Sequence, residues 1–114
     1  MSESETQGAL TEAVFYILLA LHTPLHGYGI MQLVREMSDG RVDLGAGTLY
    51  GAINTLLARH WIVPHRADEG SRRKDYVVTD EGRHAVQIEM ERLEELLTNG
   101  KQIMEGRGDE KNCL

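Results

Sequence analysis

The stretch that decides the fold is Trp61-Ile-Val-Pro-His-Arg-Ala-Asp-Glu-Gly-Ser-Arg-Arg-Lys-Asp-Tyr-Val-Val78. Residues 61–67 and 74–78 contain the β-branched and aromatic residues typical of strands. Asp68-Glu-Gly-Ser71 between them has the composition of a turn. Pro64 lacks an amide hydrogen, which restricts the first strand to the edge of a sheet. The stretch predicts a β-hairpin, with Trp61 packed into the core at its start.

Short helical segments precede the hairpin. The first is predicted from the N-cap residue Thr11 to about Leu21, where the segment containing Pro24 stops it. Its apolar residues nearly encircle it, so it is expected to be buried on several sides, in the core or against a second subunit. The second is predicted from about 28 to 37 and the third, after a loop at 43–47, from about 48 to 59.

A long helix is predicted after the hairpin, capped by Thr79 or Asp80. Apolar residues recur along it at alternating steps of four and three, the pattern of a seam that packs on a partner helix. A domain this small is not expected to cover the whole seam, so we expect a second copy of the chain to do so. The seam comprises Val86, Met90, Leu93, Leu97, Gly100 and Met104, widened by Leu96 and Ile103.

This order of elements predicts a mostly α fold with a small β-hairpin, an α+β winged helix-turn-helix with a long C-terminal dimerisation helix. We expect a flexible N-terminus over residues 1–9 and a DNA-binding domain over residues 10–79. The dimerisation helix is expected over residues 80–104, and a flexible tail over residues 105–114.

The charge of the chain is unevenly distributed. The 114 residues carry a net charge of −6, yet residues 41–79 hold six Lys and Arg against four Asp and Glu, a local charge of +2. Residues 80–114 hold nine acidic residues against five basic ones. The middle of the chain is therefore suited to face phosphates, while the C-terminal third suits solvent or a partner.

Several classes of protein are disfavoured by the composition. The one cysteine, Cys113, cannot form an internal disulfide, and the longest apolar run, residues 13–21, is too short to span a bilayer. No basic segment precedes that run, so we expect a cytoplasmic protein that does not bind membranes. No phosphate-binding loop, activated nucleophile or convergent acidic pair is present, so neither an enzyme nor a cofactor is expected.

A metal site is also not expected. His22 and His26 have the spacing of two ligands on one helix face, but Pro24 between them interrupts the helix. No second thiol is available to join Cys113. Metal sensing therefore stays the weakest of the regulatory alternatives.

In a winged helix-turn-helix protein, the third helix enters the major groove of double-stranded DNA. Asn54 on its outer face can pair with adenine, and Thr48 can contact a phosphate or a thymine methyl group. Arg59 flanks the same face and is a further candidate DNA contact. The basic run Arg72, Arg73 and Lys74 is expected to touch the DNA backbone or the minor groove.

Three motifs in this order and spacing resemble the PadR-like transcriptional regulators. They are Leu25-His-Gly-Tyr-Gly-Ile30, Gly47-Thr-Leu-Tyr-Gly-Ala-Ile53, and Arg72-Arg-Lys-Asp-Tyr76 with Val78-Thr-Asp-Glu-Gly82. The resemblance covers about residues 10–100 and implies a compact dimeric repressor that binds a pseudo-palindromic operator. It implies dimerisation through the C-terminal helix with help from the first helix, where Val14 and Leu18 are the candidate contacts.

The resemblance also implies roles for single residues. Tyr50 takes the place of the family's tyrosine near DNA on the recognition helix, and Tyr28 that of a tyrosine near the DNA backbone. Gly51 departs from the family, which often has proline there, and Asp68 and Glu69 place negative charge at the hairpin tip. The resemblance also implies an effector, since members of the family often respond to phenolic acids, drugs or other hydrophobic small molecules.

A hydrophobic effector is therefore expected in a cavity on the dimer helix. Residues 80–114 contain no aromatic residue, so stacking of a ligand on this helix is not expected. The alternative function is a winged-helix adaptor that binds proteins and has lost DNA binding. The candidate cavity residues are Leu93, Leu96 and Leu97.

Overall fold

The structure, a computed structural model, describes residues 8–66 and 74–106. Helices α1 (Glu12–Ala20), α2 (Gly27–Met37) and α3 (Ala46–Ala58) come first. Strands β1 (Ile62–His65) and β2 (Asp75–Val78) follow, and the long helix α4 (Asp80–Lys101) continues into a π-helical turn over Gln102–Gly106. The predicted winged helix-turn-helix with a long C-terminal helix is confirmed.

The predicted cap of α1 is present, and of the two candidates for the cap of α4, Thr79 and Asp80, the structure has Thr79. The amide of Val14 donates to Oγ1 of Thr11 over 3.1 Å at the start of α1. The amide of Gly82 donates to Oγ1 of Thr79 over 3.0 Å at the start of α4. Each hydroxyl satisfies an amide that has no partner within its own helix, which fixes where the helix begins.

Two helices begin earlier than the sequence predicts. Helix α2 begins at Gly27 rather than Tyr28, and α3 begins at Ala46 rather than Thr48, with Gly45 as its N-cap residue. The prediction of a loop through Gly47 was wrong. The low helix propensity of Gly47 has little effect in a first turn, and the uncapped amides of Ala46 and Gly47 lie in exposed residues where water can satisfy them.

Strand β2 is the central strand of the sheet. It pairs antiparallel with β1, with Ile62 opposite Val78 and His65 opposite Asp75. On its other side, Leu25 and Tyr76 exchange both backbone hydrogen bonds, over 3.1 and 2.9 Å. Strand β1 with Pro64 is therefore at an edge, as predicted. The sequence does not predict the Leu25 bridge, because one paired residue has no alternating pattern.

The core lies where α1, α2, α3 and the sheet meet. The half-buried Trp61 packs against this core, as expected from its position at the start of the hairpin. The largest fully buried side chains are Ile17, Leu18, Leu21, Ile30, Val34, Leu49, Ile53, Leu56 and Ile62.

Helix α4 packs on this core only through its first turns. Gly82, Ala85, Val86 and Glu89 are buried there, whereas every residue from Leu93 to Gly106 is exposed. Gly100 lies inside the helix. The free half of α4 contributes to the elongated shape of the chain, whose extents are 66 × 36 × 21 Å.

Candidate nucleic-acid interface

Helix α3 divides into a buried face and an open face. Leu49, Ile53 and Leu56 anchor it in the core. Gly47, Gly51, Asn54 and Ala58 recur at steps of four, three and four on the opposite side, and all are exposed. A Cβ built on Gly47 or Gly51 would meet nothing within 4 Å. This side of the helix therefore presents its backbone close to whatever lies opposite.

The predicted base-reading side chains lie on this open side. Thr48 and Asn54 are exposed, and within residues 8–66 and 74–106 neither side chain has a hydrogen-bond partner. An amide side chain in this state can offer a donor and an acceptor to a base edge at once. Their geometry suits the role that the sequence predicts for them.

Tyr50 links α3 to the start of α2. Its ring is 44% exposed, and its hydroxyl end lies against Gly27. A Cβ on Gly27 would lie 2.8 Å from Cζ of Tyr50 and closer still to the hydroxyl oxygen. Tyr50 also interacts with Tyr76 of β2. Burial raises the pKa of Tyr76 above its ordinary value, and the interaction with Tyr50 adds to the rise. Tyr50 therefore connects the two helices of the helix-turn-helix through its contact with Gly27.

Tyr28 lies largely in solvent in the first turn of α2. Its side chain is 62% exposed, and its hydroxyl accepts a hydrogen bond from Nε2 of Gln32 over 3.4 Å. No side chain caps α2, whose N-cap residue is His26. The first amides of α2 therefore have no side-chain cap, and their partial positive charge favours anions.

Arg59 is the C-cap residue of α3, whereas Thr48 lies in the first turn of the helix. Its guanidinium carbon is 4.9 Å from the centroid of the Trp61 ring, within the range of a cation–π contact. It also lines a groove of about 220 Å³ with Leu10, Thr11 and other residues of α1 and α3. The structure therefore does not group Arg59 with Thr48 and Asn54.

The basic run of the hairpin falls largely outside the described residues. Arg72 and Arg73 lie there, as do Asp68 and Glu69. Lys74, the residue before β2, is exposed.

The predicted dimer contacts, those of the first helix and those of the seam on the C-terminal helix, are divided between core and surface. Leu18 and Val86 are 0% and 3% exposed within the chain's own core, so they offer no surface to a second copy, and the prediction is corrected for them. Val14 is half-buried. The remaining seam residues form an exposed apolar strip, which we call the α4 seam: Met90, Leu93, Leu96, Leu97, Ile103 and Met104.

A groove of about 360 Å³ lies beside the α4 seam, between α1 and α4. Phe15 and Tyr16, whose rings meet edge to face with centroids 6.3 Å apart, line one wall. Arg92 and Leu93 line the other, together with the buried Glu89. The hydrogen bonds from Arg92 lower the pKa of the Glu89 carboxyl against the opposing effect of its burial, and the amide of Leu10 adds to the lowering.

Comparison with known proteins identifies the family. The model of the PadR-like family of transcriptional regulators matches residues 16–88. The chain belongs to the PadR-like family of transcriptional regulators. A PadR family regulator from Clostridium difficile R20291 has a similar structure, with a TM-score of 0.69, 24% identity, and coverage of 82% of this chain and 99% of that chain.

A second solved structure agrees in fold with this PadR-like chain, and one further protein is similar to it in sequence. A transcriptional regulator from Clostridium thermocellum superposes with a TM-score of 0.66 at 22% identity, covering 82% of this chain and 93% of that one. An uncharacterised 37.1 kDa protein in transposon TN4556 of Streptomyces fradiae is 35% identical over 79 residues, 68% of this chain. The PadR-like chain spans only 22% of that protein's length.

Metal-binding clusters and long apolar helices were sought in residues 8–66 and 74–106. No three His, Cys, Asp or Glu side chains come together there as a metal site would require. No helix there is long and apolar enough to cross a bilayer. His22 instead lies with Nδ1 3.0 Å from the carbonyl oxygen of Leu18, at the end of α1.

The sequence predictions left out three features of the molecule. The Glu89–Arg92 pair has the three-residue spacing of helical ion pairs, a signal that could have found it. The Gly27–Tyr50 contact joins two of the quoted motifs, but neither motif indicates that they touch. The hydroxyl of Thr79 also donates to the carbonyl of His60, a second role that follows only from the position of the α3 terminus.

Proposed function

We propose that this PadR-like regulator is a cytoplasmic repressor that binds a pseudo-palindromic operator in double-stranded DNA as a homodimer. The observation that carries the DNA-binding part is the open face of α3, where Thr48 and Asn54 have free hydrogen-bonding groups beside two glycines. A surface of this shape fits a major groove, since an α-helix must approach base edges closely to read them.

The test of DNA binding uses the DNA upstream of the protein's own coding region in a series of salt concentrations. Binding is expected to weaken steeply with salt. The variant Arg72→Ala/Arg73→Ala/Lys74→Ala is expected to reduce the slope by about 0.9 for each phosphate that the protein no longer neutralises. An adaptor without DNA binding would show no salt-sensitive affinity even for random duplexes, which would overturn the proposal.

Asn54→Ala tests base reading separately from phosphate binding. It is expected to weaken operator binding by about 1–3 kcal/mol while affinity for random DNA is kept. Asn99→Ala makes the same change on the exposed part of α4 and is the matched control. Equal losses on operator and random DNA would contradict a base-reading role for Asn54.

The homodimer proposal rests on the α4 seam and the adjoining groove. Six apolar side chains that project from the domain on one helix face favour burial against another apolar surface. The groove between α1 and α4 provides such a surface on a second copy. Under a two-fold axis, the α4 seam of each copy would lie against the groove of the other.

Sedimentation of Leu97→Glu tests this arrangement. The variant is expected to be monomeric, because a charge in the centre of the seam would lose its solvation on dimerisation. Thr98→Glu places the same charge on the same helix but away from the seam, and it is expected to stay dimeric. A dimer of unchanged stability for Leu97→Glu would place the interface elsewhere.

We further propose that a hydrophobic or phenolic molecule binds beside Leu93, Leu96 and Leu97 and releases the DNA. The groove next to Leu93, with its aromatic wall from α1, supports a small apolar ligand. A panel of phenolic acids added to the protein–operator complex should include compounds that lower operator affinity. Their effect should be lost in Phe15→Ala, which removes part of the aromatic wall of the groove and leaves the α4 seam unchanged.

A further inference from the structure

The end of α3 and the beginning of α4 are joined by a compact set of hydrogen bonds around Thr79. His60, which follows α3, has a left-handed backbone with φ of 63°. This turn lets the amide of Trp61 donate to the carbonyl of Leu56 over 3.0 Å and so closes the last turn of α3. The carbonyl groups of His60 and Trp61 then point to the start of α4.

Thr79 uses both its amide and its hydroxyl at this point. Its amide donates to the carbonyl of Trp61 over 2.9 Å, and its hydroxyl donates to the carbonyl of His60 over 2.8 Å. The same hydroxyl accepts from the amide of Gly82 over 3.0 Å. One side chain therefore caps α4 and holds the residues that end α3.

Gly82 brings the two backbones into direct contact. A Cβ at this position would lie 2.7 Å from Cγ2 of Val78 and 3.1 Å from the carbonyl carbon of Trp61, and closer still to the Trp61 oxygen. Any side chain here would push the first turn of α4 away from the α3–β1 junction. We call the contacts of Thr79 and Gly82 with His60 and Trp61 the α3–α4 junction.

The junction lies between the two surfaces that the proposed function uses. Gly47, at the far end of the open face, lies about 17 Å along α3 from Ala58. A rotation of about 10° at the junction therefore moves that end of the face by about 3 Å, close to one base-pair step of about 3.4 Å. If α4 is held in a dimer, the junction angle sets how far apart the two α3 helices lie.

We propose that Thr79 and Gly82 are positioning residues that fix the angle between α3 and α4 and thereby set the half-site spacing of the operator. This inference rests on the proposed homodimer on two half-sites. It gives the motif Val78-Thr-Asp-Glu-Gly82 a role in DNA recognition, although the motif lies outside the surface expected to contact DNA.

Three substitutions at Thr79 separate its role as the cap of α4 from its hydrogen bond to the end of α3. Thr79→Ser keeps the acceptor for Gly82 and the donor to His60. Thr79→Asp keeps the cap but has no proton to donate to the His60 carbonyl, and Thr79→Val removes both. Thr11→Val, which removes the cap of α1, controls for loss of a cap away from the junction.

Each full-length variant is tested on an operator selected from random DNA by the native protein, and on duplexes with the half-sites one base pair closer or farther apart. The native protein, Thr79→Ser and Thr11→Val are expected to favour the selected spacing by about tenfold. Thr79→Asp and Thr79→Val are expected to reduce that ratio to within about threefold. A tenfold ratio retained by Thr79→Asp overturns the inference while the proposed function stands.

A native protein without any spacing preference would instead contradict two half-sites, and the inference would fall with that part of the proposed function. A second measurement needs no DNA. Spin labels at Thr48→Cys and Thr98→Cys, in a Cys113→Ser background diluted with unlabelled chain, report the distance between α3 and α4. The distance distribution is expected to broaden in Thr79→Asp but not in Thr11→Val, and equal distributions would overturn the junction's role.

Discussion

Arg92 donates hydrogen bonds to both carboxylate oxygens of Glu89, from Nε to Oε1 over 3.1 Å and from Nη2 to Oε2 over 2.6 Å. The amide of Leu10 donates to Oε1 over 3.3 Å, so three donors surround a carboxylate whose residue is only 2% exposed. The group stays charged because its donors favour the ionised form. It thereby ties α4 to the residue that precedes the cap of α1.

Glu89→Gln is expected to lower the free energy of unfolding at pH 7 by about 1–3 kcal/mol, because Arg92 would lose its charged acceptor. The folded-state pKa of Glu89 is below its unfolded value of about 4.3. Its stabilisation is therefore fully present above the unfolded-state pKa and is lost as the pH falls through the folded-state pKa.

Urea unfolding at neutral and acidic pH measures this effect. The difference between the native protein and Glu89→Gln should shrink on the acid side. Glu95→Gln, an exposed carboxylate on the same helix, should change stability little at either pH. A constant difference across the pH range would contradict the assignment to Glu89.

Gly27→Ala is expected to destabilise the protein by at most about 1 kcal/mol, since the added methyl group would displace the hydroxyl end of the partly exposed Tyr50 ring. Tyr50→Ala removes the ring and should make the alanine at 27 nearly neutral. A double-mutant cycle in thermal unfolding measures the coupling between the two sites. Additive effects would show that the ring is not what excludes a side chain at Gly27.

Gly51→Ala is expected to stabilise the fold by about 0.5–1 kcal/mol, because alanine is the better helix former and the site is open. On the proposed function, the same methyl group would hold α3 away from the DNA and weaken operator binding. Opposite changes in melting temperature and affinity would be difficult to explain by a purely structural role.

Thr98→Ala is the control for Gly51→Ala, since it improves helix propensity on an exposed part of α4. It should stabilise the protein without weakening operator binding. Unchanged operator affinity in Gly51→Ala would mean that the open face of α3 does not approach DNA closely.

His60→Gly is expected to raise stability by about 1 kcal/mol, because His60 has φ of 63°, where a side chain is strained and glycine is not. For a domain of this size, the melting temperature should rise by about 4–8 °C. His60→Ala keeps the strain and should give no such gain. A gain of equal size in His60→Ala would assign the effect to the imidazole rather than the backbone.

Elements with a local signal were predictable. The caps at Thr11 and Thr79, the edge position of Pro64 and the long helix each follow from residues within one turn or one strand of each other. The predicted start of α3 was wrong. The low helix propensity of Gly47 has little effect in the first turn of the helix, which is anchored in the core by Leu49.

Features that depend on distant residues were not predictable. Val86 fits the seam pattern as well as Met90 does, and Leu18 was a candidate dimer contact through the family resemblance. Only the packed structure shows that both side chains lie in the core. The placement of Arg59 on Trp61, away from Asn54, depends on where the chain turns after α3. Periodicity shows which side of a helix is apolar but not which neighbour covers it.

The bridge between Leu25 and Tyr76 affects the rate at which the chain folds and the way it opens locally. It joins residues about 50 positions apart in the chain, so forming it requires closure of a long loop, which is slow and entropically costly. Strand β2 is thereby held on one side by its hairpin partner and on the other by the link between α1 and α2. We therefore expect the hairpin and the helix-turn-helix to unfold together, with the amides of Leu25 and Tyr76 among the slowest in the protein to exchange their hydrogens.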